Sequence, residues 1–125
     1  MKMKLIYAGI RVRDYERSKR FYTEGLGLEV LKEGTSENTG GKWATLRSPD
    51  GKTALEINWY PAGEHATPYA NGSELDHLGV SAEDIDAAVA HLQTHGAKVV
   101  LDRRPAAKEV FVTDPDGIWI ELLGK

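Results

Sequence analysis

The chain has 125 residues, 41% of them hydrophobic and 28% charged, with a formal net charge of -3. That length builds one domain with a real core rather than two independent ones. The slight acidity, without a Lys/Arg block, gives no electrostatic reason to expect a nucleic-acid partner. With no cysteine there are no disulfides, no thiolate metal site and no thiol nucleophile. No segment reads as a membrane span. The start, Met1-Lys2-Met3-Lys4-Leu5-Ile6, lacks the apolar run of a secretory leader, so a cytoplasmic location is expected.

In chain order, residues 5–12 predict a strand with Ile6, Ala8, Ile10 and Val12 on one face and Leu5, Tyr7, Gly9 and Arg11 on the other. Asp14 is placed to cap a helix that carries Tyr15, Ser18 and Tyr22 on one side with Phe21 beside them, and Gly25 and Gly27 stop it. Strands are expected at 28–32, 42–48 and 53–60, with a Pro49-Asp50-Gly51 turn between the last two. Residues 61–74 are rich in breakers and read as a linker. A strand at 75–81 follows, then a helix in which Ser81-x-x-Asp84 resembles a capping box. Ile85, Ala88, Val89 and Leu92 share its apolar stripe, and Gly96 ends it. Strands at 98–102, 108–113 and 118–123 complete the chain, the last two joined by the turn Asp114-Pro115-Asp116-Gly117.

Both halves therefore read strand–helix–strand–strand–strand, an α+β class with two βαβββ modules at about 4–60 and 75–124 within one domain. Sliding the sequence by 70 residues sets Tyr7 on His77, Gly9 on Gly79, Ile10 on Val80 and Asp14 on Asp84. Each final hairpin carries Pro-Asp-Gly and then a glutamate, Glu56 or Glu121, although Glu56 lies five residues after its glycine and Glu121 four. A half of this size is marginal alone, so related halves sharing buried surface is the economical arrangement.

The polar positions share a face. Glu56, Asn58 and Tyr60 oppose Leu55, Ile57 and Trp59; His77 opposes Leu78; Glu121, between Trp119 and Leu123, opposes Ile120 and Leu122. If the first and last strands of each half are neighbours, Tyr7, Glu56, His77 and Glu121 converge in a half-dry cleft. Two carboxylates there raise one another's pKa, and desolvation pushes the same way. A divalent cation held by Glu56, His77 and Glu121 resolves the conflict and leaves open positions, as catalytic metal sites do. Two oxygens and one nitrogen suit Mn, Fe, Co, Ni or Zn. Arg11 on the same face could instead neutralise one carboxylate without a metal. His91 and His95 read as surface residues, and His65, in the linker, as a weak extra candidate.

Arg11-Val12-Arg13-Asp14, Ser18 and Phe21-Tyr22-x-x-x-Leu26-Gly27-Leu28 resemble the first half of vicinal oxygen chelate proteins, the superfamily of glyoxalase I, bleomycin-resistance proteins, fosfomycin-resistance transferases and extradiol dioxygenases. Leu55-Glu56-Ile57, Asp76-His77-Leu78-Gly79-Val80 and the stretch from Phe111 to Leu122 continue the resemblance across nearly the whole chain. It implies paired βαβββ modules, a cupped mixed sheet with helices outside and the metal inside, and a homodimer. Against the glyoxalase I pattern, Glu56, His77 and Glu121 fall on three of four metal-ligand positions, and the glutamate matching Glu121 also moves the proton. Arg11 falls on a position that binds the carboxylate end of a glutathione adduct. The lack of long insertions looks like the bacterial enzymes associated with Ni or Co.

Two departures narrow the substrate. The first ligand position, ordinarily His or Gln, is Tyr7, and a phenol with a pKa of about 10 is a poor ligand at neutral pH. A substrate-binding Asn is expected where Tyr60 stands, with Asn58 nearby. The expected function is a glyoxalase-like lyase or isomerase whose small substrate chelates the metal through adjacent oxygens. Glu121 would be its catalytic base, and Tyr7, Arg11, Asn58, Tyr60 and Trp119 would contact substrate. The alternatives are a metal-free small-molecule binder of the bleomycin-resistance type and, ranked lower, a thiol transferase.

Overall fold

The computed structural model describes residues 2, 5–63 and 75–124. The chain divides into two compact units, Met1–Pro68 and Tyr69–Lys125, each built around one four-stranded mixed sheet and one helix.

The first unit runs β1 (Ala8–Arg11), α1 (Tyr15–Arg20), β2 (Glu29–Thr35), β3 (Lys42–Arg47) and β4 (Ala54–Trp59), with strand order β1-β4-β3-β2. β1 is parallel to β4, and the other pairs are antiparallel. Asp14 caps α1 by accepting the amide of Arg17 at 3.0 Å, as its residue type predicts. After Arg20 the helix widens into a π turn, Phe21–Gly25, before Gly27 leaves at φ 80°. This turn sets both Phe21 and Tyr22 into the core, with rings 5.1 Å apart edge to face. Leu46 and Ile57 are fully buried with them, each such side chain contributing about 1.5–3 kcal/mol of burial free energy.

The second unit repeats the plan with β5 (Leu78–Ser81), α2 (Ile85–Gln93), β6 (Val99–Asp102), β7 (Glu109–Thr113) and β8 (Trp119–Leu123), in order β5-β8-β7-β6. Its core is Ile85, Leu92, Val110, Val112, Ile120 and Leu122. The cap of α2 is Asp84, which accepts the amide of Ala87 at 3.0 Å; Ser81 ends β5 instead of opening a capping box. Asp84 therefore does in α2 what Asp14 does in α1.

The correspondence extends to irregular features. β2 bulges between Val30 and Lys32 opposite Leu46 and Thr45, and β6 bulges between Val99 and Leu101 opposite Val112 and Phe111. The one-residue offset between the glutamates lies in the turns. Ser48 and Thr53 close the first hairpin around residues 49–52, whereas Asp114 and Ile118 close the second around 115–117. The shorter turn is held by the Asp114 carboxylate, which accepts the amides of Asp116 and Ile118, each at 2.8 Å. Gly51 and Gly117 supply the positive φ that each turn needs, 73° and 91°.

The strand expected from residue 5 begins at Ala8, so Tyr7 precedes β1 by one residue, as His77 precedes β5. Among the described residues no helix is long and apolar enough to cross a membrane.

Candidate active site and metal centre

In the first unit, β1 and β4 set the polar residues in register: Gly9 faces Glu56, and Arg11 faces Asn58. Leu55 and Ile57 are buried, so strand alternation turns Glu56 and Asn58 to the opposite face. The Asn58 amide nitrogen donates to the carbonyl oxygens of Ile10 at 3.3 Å and Glu56 at 3.4 Å, which fixes it between the two strands. The Arg11 guanidinium lies 5.7 Å from the centre of the Tyr60 ring, in cation–π range. Arg11 is thus brought beside both Asn58, its register partner, and Tyr60. Glu56 is half-buried, and its Oε2 accepts the Thr45 hydroxyl at 3.2 Å across β3 and β4. Tyr7 is 39% exposed.

In the second unit, Gly79 faces Glu121 as Gly9 faces Glu56. His77 Nε2 lies 3.5 Å from Glu121 Oε1, and its Nδ1 lies 2.6 Å from Asp76 Oδ1. With Nδ1–H donated to Asp76, the Nε2 lone pair is presented toward Glu121, the arrangement that second partners impose on metal-ligating imidazoles. The Phe111 side chain, directly across from Glu121, packs its ring 5.4 Å from His77 and 5.6 Å from Trp119. Trp119 stays 41% exposed.

Glu109 lies diagonally across the β7–β8 pair from Glu121, on the same face. Arg103 Nε reaches its Oε1 at 3.2 Å. A hydrogen bond with Glu109, then burial, then the Glu109 charge push the Glu121 pKa above the ordinary carboxylate value, with His77 opposing. The hydrogen bond to Asp76 raises the His77 pKa, against burial. Sequence reading missed Thr45, Asp76, Glu109 and Phe111. Thr45, Glu109 and Phe111 follow only from the register of β3 with β4 and of β7 with β8. Asp76 is the immediate neighbour of His77. His65 lies outside the described residues.

Among the described residues no three His, Asp or Glu side chains form a group able to hold a metal ion. The second unit offers the His77–Glu121 pair, and the first offers Glu56. The pair itself suits a metal: two ligand atoms bound at about 2.1 Å stand about 3.0–3.4 Å apart, close to the observed 3.5 Å. A neutral imidazole and carboxylates are also the donor types that borderline divalent ions prefer.

Residues 4–122 match the model of the glyoxalase/bleomycin resistance protein/dioxygenase superfamily. The chain is 32% identical to the lactoylglutathione lyase of Haemophilus influenzae, over 97% of this chain and 92% of that protein. It is likewise 32% identical to the uncharacterized protein YaeR of Escherichia coli K12, over 93% and 92%. Among solved structures, the trypanothione-dependent glyoxalase I of Leishmania major superposes with a TM-score of 0.75 at 28% identity, covering 98% of this chain and 87% of that one. The chain belongs to the glyoxalase/bleomycin resistance protein/dioxygenase superfamily.

Proposed function

We propose that the protein is a divalent-metal-dependent lyase or isomerase of the glyoxalase type, acting on a small substrate with vicinal oxygens. The observation that carries this reading is the His77 Nε2–Glu121 Oε1 pair, 3.5 Å apart and buttressed by Asp76. Glu56, His77 and Glu121 are the protein ligands in this reading, and the two modules act as one vicinal-oxygen-chelate domain. A bound divalent ion, Ni or Co by preference over Mn, Fe or Zn, supplies Lewis-acid polarisation of the substrate carbonyl.

The chain's own residues supply the rest. Glu121 takes the proton from the substrate carbon and returns it to the adjacent one; a carboxylate of raised pKa is the better proton carrier near neutral pH. Arg11 holds an anionic end of the substrate, with Asn58 and Tyr60 beside it. Trp119 covers an apolar part, and the Tyr7 hydroxyl is a hydrogen-bond donor to the reacting oxygens. We place the enzyme in the cytoplasm as a homodimer, with neither nucleic acid nor membrane as partner.

Elemental analysis of the purified protein, followed by metal titration and an activity screen on α-ketoaldehyde–thiol adducts, tests this. Stoichiometric metal that is lost in Glu56→Ala and His77→Ala supports the enzyme. A metal-free protein that binds small aromatic molecules would replace the enzyme with a sequestering binder. Sedimentation showing only monomer at micromolar concentration would remove the dimer.

A further inference from the structure

One row of residues crosses the whole first sheet. Gly34 on β2 pairs with Trp43 on β3, Trp43 with Asn58 on β4, and Asn58 with Arg11 on β1. Register partners share a face, and strand alternation puts the buried Ala44, Leu46, Leu55 and Ile57 on the other one. All four members of the row are half-buried, neither sunk in the core nor fully in water. Gly34 gives the indole room to lie across its strand. A Cβ there would stand 2.9 Å from Cζ2 and 3.2 Å from Cε2 of Trp43, so any larger residue would lift the ring. At the other end the Arg11 guanidinium lies over the Tyr60 ring. The duplication did not dictate this row: its counterpart in the second unit is Ser81, Leu123 and Glu109, with neither an aromatic ring nor a cation.

We propose that Trp43 is a substrate-binding residue, and that this row selects substrates carrying an anionic end and an aromatic ring, the anion on Arg11 and the ring on Trp43. This rests on the reading of Arg11 as the residue that holds the anionic end of the substrate. Arg11 and Trp43 stand two strands apart, about 10 Å, a span that long side chains on both sides leave to a short linking chain. A guanidinium takes a carboxylate through paired N–H donors, and an indole takes a flat ring by offset stacking. Between them, Asn58 spends its amide nitrogen on the carbonyls of Ile10 and Glu56, which leaves its side-chain oxygen as the acceptor for a polar group on the link.

The test is an NMR titration of the protein as purified with phenylbutyrate, which has both ends, and with butyrate and phenylbutyramide, which each lack one. The indole N–H resonance of Trp43 is assigned by its loss in Trp43→Phe. It should shift saturably with phenylbutyrate, and both comparators should bind about tenfold more weakly, the size of one aromatic or one charged contact. Trp43→Ala and Arg11→Gln should weaken phenylbutyrate by a similar factor, Gly34→Ala should weaken it by displacing the ring, and Trp43→Phe should retain it. The comparison of the three ligands on the wild type needs no variant to fold. Equal binding of butyrate and phenylbutyrate, or an unmoved Trp43 resonance, overturns the proposal; continued dependence on Arg11 would leave the anionic subsite standing. Equal binding of phenylbutyramide, together with a silent Arg11→Gln, overturns both. None of these probes chelates through vicinal oxygens, so failure of the metal reading would not imitate either result.

Discussion

Nδ1 of His77 and Oδ1 of Asp76 stand 2.6 Å apart, and this contact fixes which imidazole nitrogen is left for chemistry. Asp76→Ala should free the ring. In the metal-free protein, the His77 titration followed by NMR should move down toward the ordinary 6.5. Because folding raises this pKa, the pair adds stability that is complete below the unfolded-state value and disappears as pH climbs through the raised one. Asp76→Ala should therefore lower the Tm at pH 5 and leave it unchanged at pH 9. Equal losses at both pH values would contradict this.

Glu109 is the second acid beside Glu121, and replacing it tests what sets the proton affinity of that carboxylate. Glu109→Gln removes the neighbouring charge and puts a donating amide in its place, so the Glu121 pKa should fall. Carboxyl carbon chemical shifts of the metal-free protein across pH 3–8 would read the change. An unmoved Glu121 titration would show that Glu109 is irrelevant to it.

The segment after β6 is clamped by Arg104, whose guanidinium meets Asp102 at 3.0 and 2.8 Å and Asp86 on α2 at 2.8 Å. Hydrogen bonds from Arg104 hold the Asp102 pKa down from 3.8 to about 2. A depressed folded-state pKa means stability that is present above the unfolded value and is lost as pH falls through the folded one. Asp102→Asn should melt below wild type at pH 6, and the gap should narrow between pH 4 and pH 2. A pH-independent gap would place the effect elsewhere.

The helix caps give a paired comparison. Asp14→Ala and Asp84→Ala should each cost about 1 kcal/mol in urea denaturation, whereas Ser81→Ala should stay within about 0.5 kcal/mol. A large Ser81 effect with a silent Asp84 would reverse the capping assignment.

The fold was legible because its determinants are local. Asp14, the Pro-Asp-Gly turns and the alternation through Leu55–Asn58 and Ile120–Leu123 each specify a piece of backbone without reference to distant residues. Glycine and glutamate recurring in order gave away the duplication, and the unequal turns at 49–52 and 115–117 explain why the spacing was imperfect. What stayed hidden depended on pairing. Leu5, Ile6 and Tyr7 alternate as a strand should, but the ladder of β1 with β4 runs only from Ala8 to Arg11. The partners of the candidate ligands, Thr45 on Glu56 and Glu109 on Glu121, are separated from them in sequence by the length of a hairpin. Only a register, which no single strand carries in its own sequence, could have revealed them.

The matched bulges at Leu31 in β2 and Val100 in β6 bear on solubility. Both strands are the outermost members of their sheets, and both carry half-exposed aliphatic side chains, Val30 and Leu31 on one and Val99, Val100 and Leu101 on the other. A flat strand of that composition is a template on which a second molecule could add its own backbone. The extra residue twists each strand and interrupts its row of open amide and carbonyl groups. A chain lacking Leu31 or Val100 should regain a straight, sticky border and drift toward fibrous aggregates, even with every residue of the chemical site intact.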